Sequence, residues 1–121
     1  MYGTVGHLHI KPGMEGQFRQ LLQGQARAFE TGQVAGFVAS YAYRMDADPN
    51  DYYVAAVFES REAYWANAQS PEQDARYRQW LPLLEGEPEW HDGEIVYVMQ
   101  GQATTWENDV YPEIDVCAGS P

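Results

Sequence analysis

The twenty residues GTVGHLHIKPGMEGQFRQLL, positions 3–22, change their hydrophobic period part-way along. Over 3–10 the pattern alternates. Thr4, Gly6, Leu8 and Ile10 fall on one side of a strand, and Val5, His7 and His9 fall on the other. Lys11-Pro12-Gly13 then interrupts it. From Met14 the apolar positions Met14, Phe18, Leu21, Leu22 and Phe29 follow helical spacing, which predicts an amphipathic helix over 14–31 closed by Gly32. Gln25 lies on that same apolar face, an unusual place for an amide.

Downstream, residues 34–46 and 52–59 read as two strands of a hairpin. They are joined by Asp46-Ala47-Asp48-Pro49-Asn50-Asp51, whose side chains bond their own backbone or pre-set φ. The second strand is apolar on both faces, so both faces need cover. Ser60 is an N-cap for a short helix over 61–68, with Glu62 in its first turn. Ser70-Pro71-Glu72-Gln73 starts another helix, with Gln73 placed to complete a capping box. Tyr77, Trp80, Leu81 and Leu84 form its apolar face, and Pro82 ends or kinks it. Residues 85–93 read as an acidic loop, and Glu94 to Gln100 as the last strand, apolar on both faces. The order β-α-β-β-α-β predicts an α+β, ferredoxin-like fold with a four-stranded antiparallel sheet. Helices cover one sheet face, and one short chain has little left for the other. A second copy laid sheet against sheet, a homodimer forming a dimeric α/β barrel, is the economical cover.

The chain has 121 residues, and 7 Lys+Arg against 18 Asp+Glu leave a net charge of −11. Such a charge disfavours a grip on nucleic-acid phosphates or anionic lipid. Hydrophobic residues at 45% and aromatics at 14% exclude a wholly disordered chain. A lone cysteine, Cys117, gives no internal disulfide. With neither a signal-peptide pattern nor a membrane-length apolar run, a cytoplasmic location is the expectation. Residues 1–100 form one domain, and 101–121 an acidic extension. That extension carries Glu107, Asp109, Glu113 and Asp115, but also Trp106, Val110, Tyr111, Ile114 and Val116. A solvating tail and a segment packed on its own domain or on a partner both fit this composition.

Several stretches resemble the antibiotic biosynthesis monooxygenase (ABM)-like proteins. They are His7-Leu8-His9-Ile10-Lys11-Pro12-Gly13 before a helix, Val34-Ala35-Gly36-Phe37, the Asp48-Pro49-Asn50 hairpin, and Val57-Phe58-Glu59-Ser60-Arg61-Glu62-Ala63-Tyr64. Ser70-Pro71 and the Leu81–Leu84 helix end continue the series, so the resemblance spans roughly residues 3–99. It implies a dimeric barrel of ferredoxin-like subunits, each with a cavity between sheet and helices. It also implies cofactor-independent oxygenation of aromatic or quinol-type substrates, or haem degradation. The chain departs from the family pattern where many members carry a histidine, since Asn67 stands there. In the haem-degrading branch a histidine on the next helix ligates iron, and Tyr77 stands at that place. Haem degradation is therefore disfavoured.

Asn67 shares a helix stripe with Ala63, Tyr64 and Ala68. It is either an amide bonded within the fold or a group that orients a ligand. His7 and His9 are surface or interface residues, or a general base. As a metal pair they supply two ligands where zinc needs a third or fourth, so no metal is assigned. Tyr41, Tyr43, Tyr64, Trp65, Tyr77 and Trp80 make an aromatic middle, either core or the wall of a pocket for a planar ligand. The acidic run Glu85, Glu87, Glu89, Asp92, Glu94 reads as a solvated loop. No nucleophile constellation, phosphate loop or dinucleotide fingerprint is present.

Two functions remain. One is a cofactor-independent monooxygenase with His7, His9, Asn67 and Tyr77 as catalytic candidates. Tyr64, Trp65, Trp80 and Tyr41 would then contact its substrate. The other is a non-catalytic dimeric binder of a small apolar ligand.

Overall fold

In the computed structural model, residues 1–101 are described. The 101–121 extension therefore lies, apart from Gly101, outside the described residues. The elements are β1 (Tyr2–His9), α1 (Glu15–Glu30), β2 (Phe37–Arg44), β3 (Asp51–Phe58), α2 (Arg61–Ala68), α3 (Pro71–Trp80), a 3-10 turn (Leu81–Leu83) and β4 (Glu89–Glu94). The strands form one four-stranded sheet in the order β2-β3-β1-β4, and every neighbouring pair is antiparallel.

The alternation in β1 divides the sheet as the sequence predicts. Leu8 and Ile10 are fully buried and join Phe18, Tyr52, Val54 and Leu84 in the core, with Met14, Leu22, Trp80 and Leu83 packed around them. This is the face under the helices. Gly32 takes φ 81° just past the end of α1, a left-handed turn that a Cβ would disfavour. Gln25 ties the two long helices together. Its amide nitrogen donates to the Arg76 carbonyl (3.0 Å) and to Gln79 Oε1 (2.9 Å), and its Oε1 accepts from Trp80 Nε1 (3.0 Å). The amide lies on an apolar face because α3 presents it with polar partners.

Both serine caps form. Ser60 Oγ accepts from the Ala63 N–H at 3.0 Å, and Ser70 Oγ from the Gln73 N–H at 3.1 Å. The reciprocal half of the capping box does not form. The Ser70 N–H is already taken by the Asn67 carbonyl at the end of α2 (3.0 Å), so the Gln73 side chain turns to Asn67 and Arg76. Removing the remaining cap with Ser70→Ala should cost about 1 kcal/mol in a urea titration. A loss near zero would mean that the α2–α3 junction holds itself without it. Pro82 acts as expected, since α3 stops at Trp80 and tightens into the 3-10 turn.

The last strand corrects the sequence reading. It is Glu89–Glu94, which lies within the 85–93 acidic loop except for Glu94, rather than Glu94 to Gln100. Register explains the shift. Tyr2 pairs with Glu94, and the Ile95 N–H bonds the Met1 carbonyl at 2.9 Å. β1 begins at Tyr2, and the ladder ends there. The apolar run overshoots the sheet, leaving Val96, Tyr97 and Met99 at least 75% exposed. Strand propensity lost to the length of the partner strand.

The sheet's second face has no cover within the described residues. Val5, Tyr41, Tyr43 and Tyr53 stand on it with 37–55% of their surface exposed. A shallow groove of about 330 Å³ runs along it, lined by Val5, Ala55, Val57, His91 and Ile95 among others. Among the described residues, no helix is long and apolar enough to cross a membrane.

Candidate active site beneath the helices

The residues singled out from sequence fall on opposite sides of the sheet. His7, His9 and Tyr41 belong to the open face. Asn67, Tyr64, Tyr77 and Trp80 belong to the helix side. The sheet itself separates the histidines from Asn67, so they share no space within one chain.

On the helix side three rings meet. Tyr77 and Trp80 come from α3, and Trp90 from β4. Their centroids lie 6.2 Å (Tyr77–Trp80), 6.4 Å (Tyr77–Trp90) and 6.2 Å (Trp80–Trp90) apart. Phe18 extends the group into the core, 5.4 Å from Trp80. Trp90 pairs across the ladder with Gly6 and lies over it, so that a Cβ there would fall inside the indole. Gly6 is thus a seat for Trp90. The outer edge of this aromatic wall is open, with Trp90 37% exposed.

Two residues further along the same face of β4 stands Asp92, opposite Thr4. Tyr64, from α2, donates its hydroxyl to Asp92 Oδ1 at 2.8 Å. Burial, reinforced by the hydrogen bond to Asp92, pushes the Tyr64 phenol up to about 12. It keeps its proton at neutral pH and stays a donor. Rings on three sides hold it, with Tyr2 at 5.3 Å, Phe58 at 5.7 Å and Trp65 at 5.2 Å. The result is an aromatic wall with a carboxylate and a proton-bearing phenol next to it.

Asn67 has a structural job. Its amide nitrogen donates to Gln73 Oε1 and its Oδ1 accepts from Arg76 Nη2, both at 3.3 Å, across the α2–α3 corner. Arg76 in turn lies over the Phe29 ring, 4.8 Å from its centroid, and burial lowers its pKa. Of Asn67's stripe, Ala63 and Tyr64 are half-buried but Ala68 is exposed. Trp65 is 37% exposed on the outer side of α2.

On the open face the His7 Nε2 lies 2.6 Å from Asp51 Oδ1, and the His9 Nδ1 lies 3.4 Å from the same oxygen. Tyr53 stacks on His7 at 4.3 Å with the rings 3° from parallel. Trp90, Asp92 and Asp51 all escaped the sequence reading. The first two lie in the run taken for a solvated loop, although Trp90, Asp92 and Glu94 alternate as a strand requires. In the sequence Asp51 reads only as a turn residue.

The fold is shared with solved structures at low sequence identity. SnoaB, a cofactor-independent oxygenase from Streptomyces nogalater, superposes with a TM-score of 0.70 at 17% identity, covering 83% of this chain and 97% of that one. A candidate antibiotic biosynthesis monooxygenase from Deinococcus radiodurans gives 0.69 at 16% identity, covering 84% and 99%. Another, from Nitrosomonas europaea, gives 0.67 at 11%, covering 80% and 100%. No curated protein matches the chain. The family assignment comes from the sequence itself. The antibiotic biosynthesis monooxygenase profile matches residues 1–79, from β1 to nearly the end of α3. With that match over most of the folded domain, the chain belongs to the antibiotic biosynthesis monooxygenase family.

Proposed function

We propose that the chain is a cofactor-independent monooxygenase acting on a small aromatic or quinol-like substrate, and that it works as a homodimer. The observation that carries the reading is the placement of Asp92 beside Trp90 on one face of β4, with the Tyr64 hydroxyl on Asp92 at 2.8 Å. A planar substrate lying against the open edge of Trp90 and Tyr77 would have a carboxylate base and a phenol donor within reach. Family membership and the activity of SnoaB support the reaction class.

The chemistry needs little from the protein. Asp92 accepts a proton from an activated C–H or O–H of the substrate, and the Tyr64 phenol, released as that carboxylate is neutralised, turns its O–H to the oxygen on which charge develops. The substrate anion passes an electron to O2, the radical pair recombines to a peroxide anion, and the proton held on Asp92 returns to give the hydroperoxide. Loss of water then leaves a carbonyl, so that CH2 plus O2 becomes C=O plus H2O. The substrate and one O2 supply all the electrons.

Oxygen uptake with anthrone tests the reading. The wild type should consume O2 faster than the uncatalysed autoxidation. Asp92→Asn should lower kcat by about 100-fold, the lower end for a lost general base. Tyr64→Phe should lower it less, because the base survives. His7→Ala should leave it unchanged, since that side chain is on the other face. Saturable quenching of tryptophan fluorescence by anthrone without turnover would instead favour the non-catalytic binder.

A further inference from the structure

We propose that His7, His9 and Asp51 form a site for one divalent first-row transition ion, of the zinc type, on the open face of the sheet. Their donor atoms all lie within 4.8 Å of one another. Three features turn proximity into a site.

The first is the frame. His7 and His9 project from the same side of β1, two residues apart. Asp51 opens β3 directly across the ladder from His9. β1 lies between β3 and β4, so its backbone cannot drift. The Asp51 end is fixed by two bonds, Met45 N–H to the Asp51 carbonyl (2.9 Å) and Ile10 N–H to the Asn50 carbonyl (2.8 Å). The stacked Tyr53 ring sets the plane of His7.

The second is spacing. Zinc bonds of 2.0–2.1 Å at tetrahedral angles put neighbouring donors about 3.3 Å apart. The His9 Nδ1 to Asp51 Oδ1 separation is 3.4 Å. The His7 Nε2 to Asp51 Oδ1 separation, now a hydrogen-bond length of 2.6 Å, needs to open by about 0.7 Å to reach that spacing.

The third is chemistry. Two imidazoles and one carboxylate suit zinc, cobalt or nickel, and suit calcium or magnesium poorly, because those need a shell of oxygens. In the single chain the His7 and Asp51 side chains are 25% and 22% exposed and the His9 side chain 52%. Water can fill the remaining coordination positions. The chain's charge of −11 raises the local cation concentration.

The test uses untagged full-length protein, stripped with chelator, titrated with ZnCl2 by calorimetry and with CoCl2 by visible absorption. One ion per chain is expected, with the cobalt bands of a four- or five-coordinate nitrogen–oxygen site. Removing a partner outside the ligand set of a metal site costs 10–100-fold in affinity. Losing a ligand through His9→Ala or Asp51→Asn should therefore weaken zinc by about 100-fold or more. His91→Ala, on the same face, should change nothing. Circular dichroism verifies that each variant is folded. In the wild type, the His7 and His9 imidazole resonances should shift on zinc addition whatever the variants do. The proposal fails if millimolar zinc leaves those resonances in place. It fails equally if zinc binding survives His9→Ala and is lost in His91→Ala.

Discussion

Phe18→Ala should lower the unfolding free energy by about 3–5 kcal/mol. Phe18 is fully buried, and its ring meets Tyr52 edge-on at 5.6 Å and Trp80 at 5.4 Å. It is the one residue of α1 that is wholly in the core. The surroundings collapse poorly around a lost ring. Tyr52 is anchored by its hydroxyl on Glu15, which also binds Arg19 and Arg44, and Trp80 is anchored by its indole N–H on Gln25. The cavity therefore stays open, which is the expensive outcome. Against a total of about 5–15 kcal/mol for an ordinary domain, the loss is a large fraction. The urea midpoint should fall with little change in slope. A loss below about 1 kcal/mol would show that the anchors yield and the site repacks.

The second large effect concerns assembly. The wild type should run in light scattering at twice the chain mass of 13.7 kDa. The double variant Val5→Asp, Tyr43→Asp should run at one chain mass. Val5 and Tyr43 are 46% and 55% exposed on the open face, and neither contributes to the helix-side core. A two-fold interface repeats every substitution, so two changes place four carboxylates together. Like charges set against each other cost several kcal/mol. Circular dichroism should remain native, because the altered side chains point away from the helices. A wild type that is monomeric at micromolar concentration would remove the homodimer proposal and leave the open face without a partner.

Element order was legible because the signals are local. The change of period between Ile10 and Met14, the two serine caps and Pro82 each act within a few residues of themselves. What escaped depends on partners distant in the chain. The limits of β4 are set by where β1 begins, which no window around residues 89–100 contains. The same non-locality hid the site. Trp90 needs a glycine across the ladder at position 6, Asp92 needs Tyr64 from α2, and Asp51 meets His9 only through the register of β1 with β3. Gln25 was conspicuous as an amide among apolar neighbours, but its partners on α3 could be read only once the helices were paired. For Asn67, the sequence left a bonded amide and a ligand-orienting group as alternatives. The contacts to Gln73 and Arg76 favour the first.

The strand order β2-β3-β1-β4 also has a consequence for synthesis. β1 is made before the other three strands, yet it is an inner strand, and neither of its neighbours is its neighbour in sequence. It has no partner until β3 has emerged through Phe58, and its second edge stays bare until Glu94 is made. Meanwhile the β2–β3 hairpin can close on its own. For much of translation the nascent chain therefore carries an alternating apolar strand with open edges, the kind of surface that pairs with other chains. The amphipathic helix α1, complete by Glu30, follows it immediately and is the first structure able to cover its buried face.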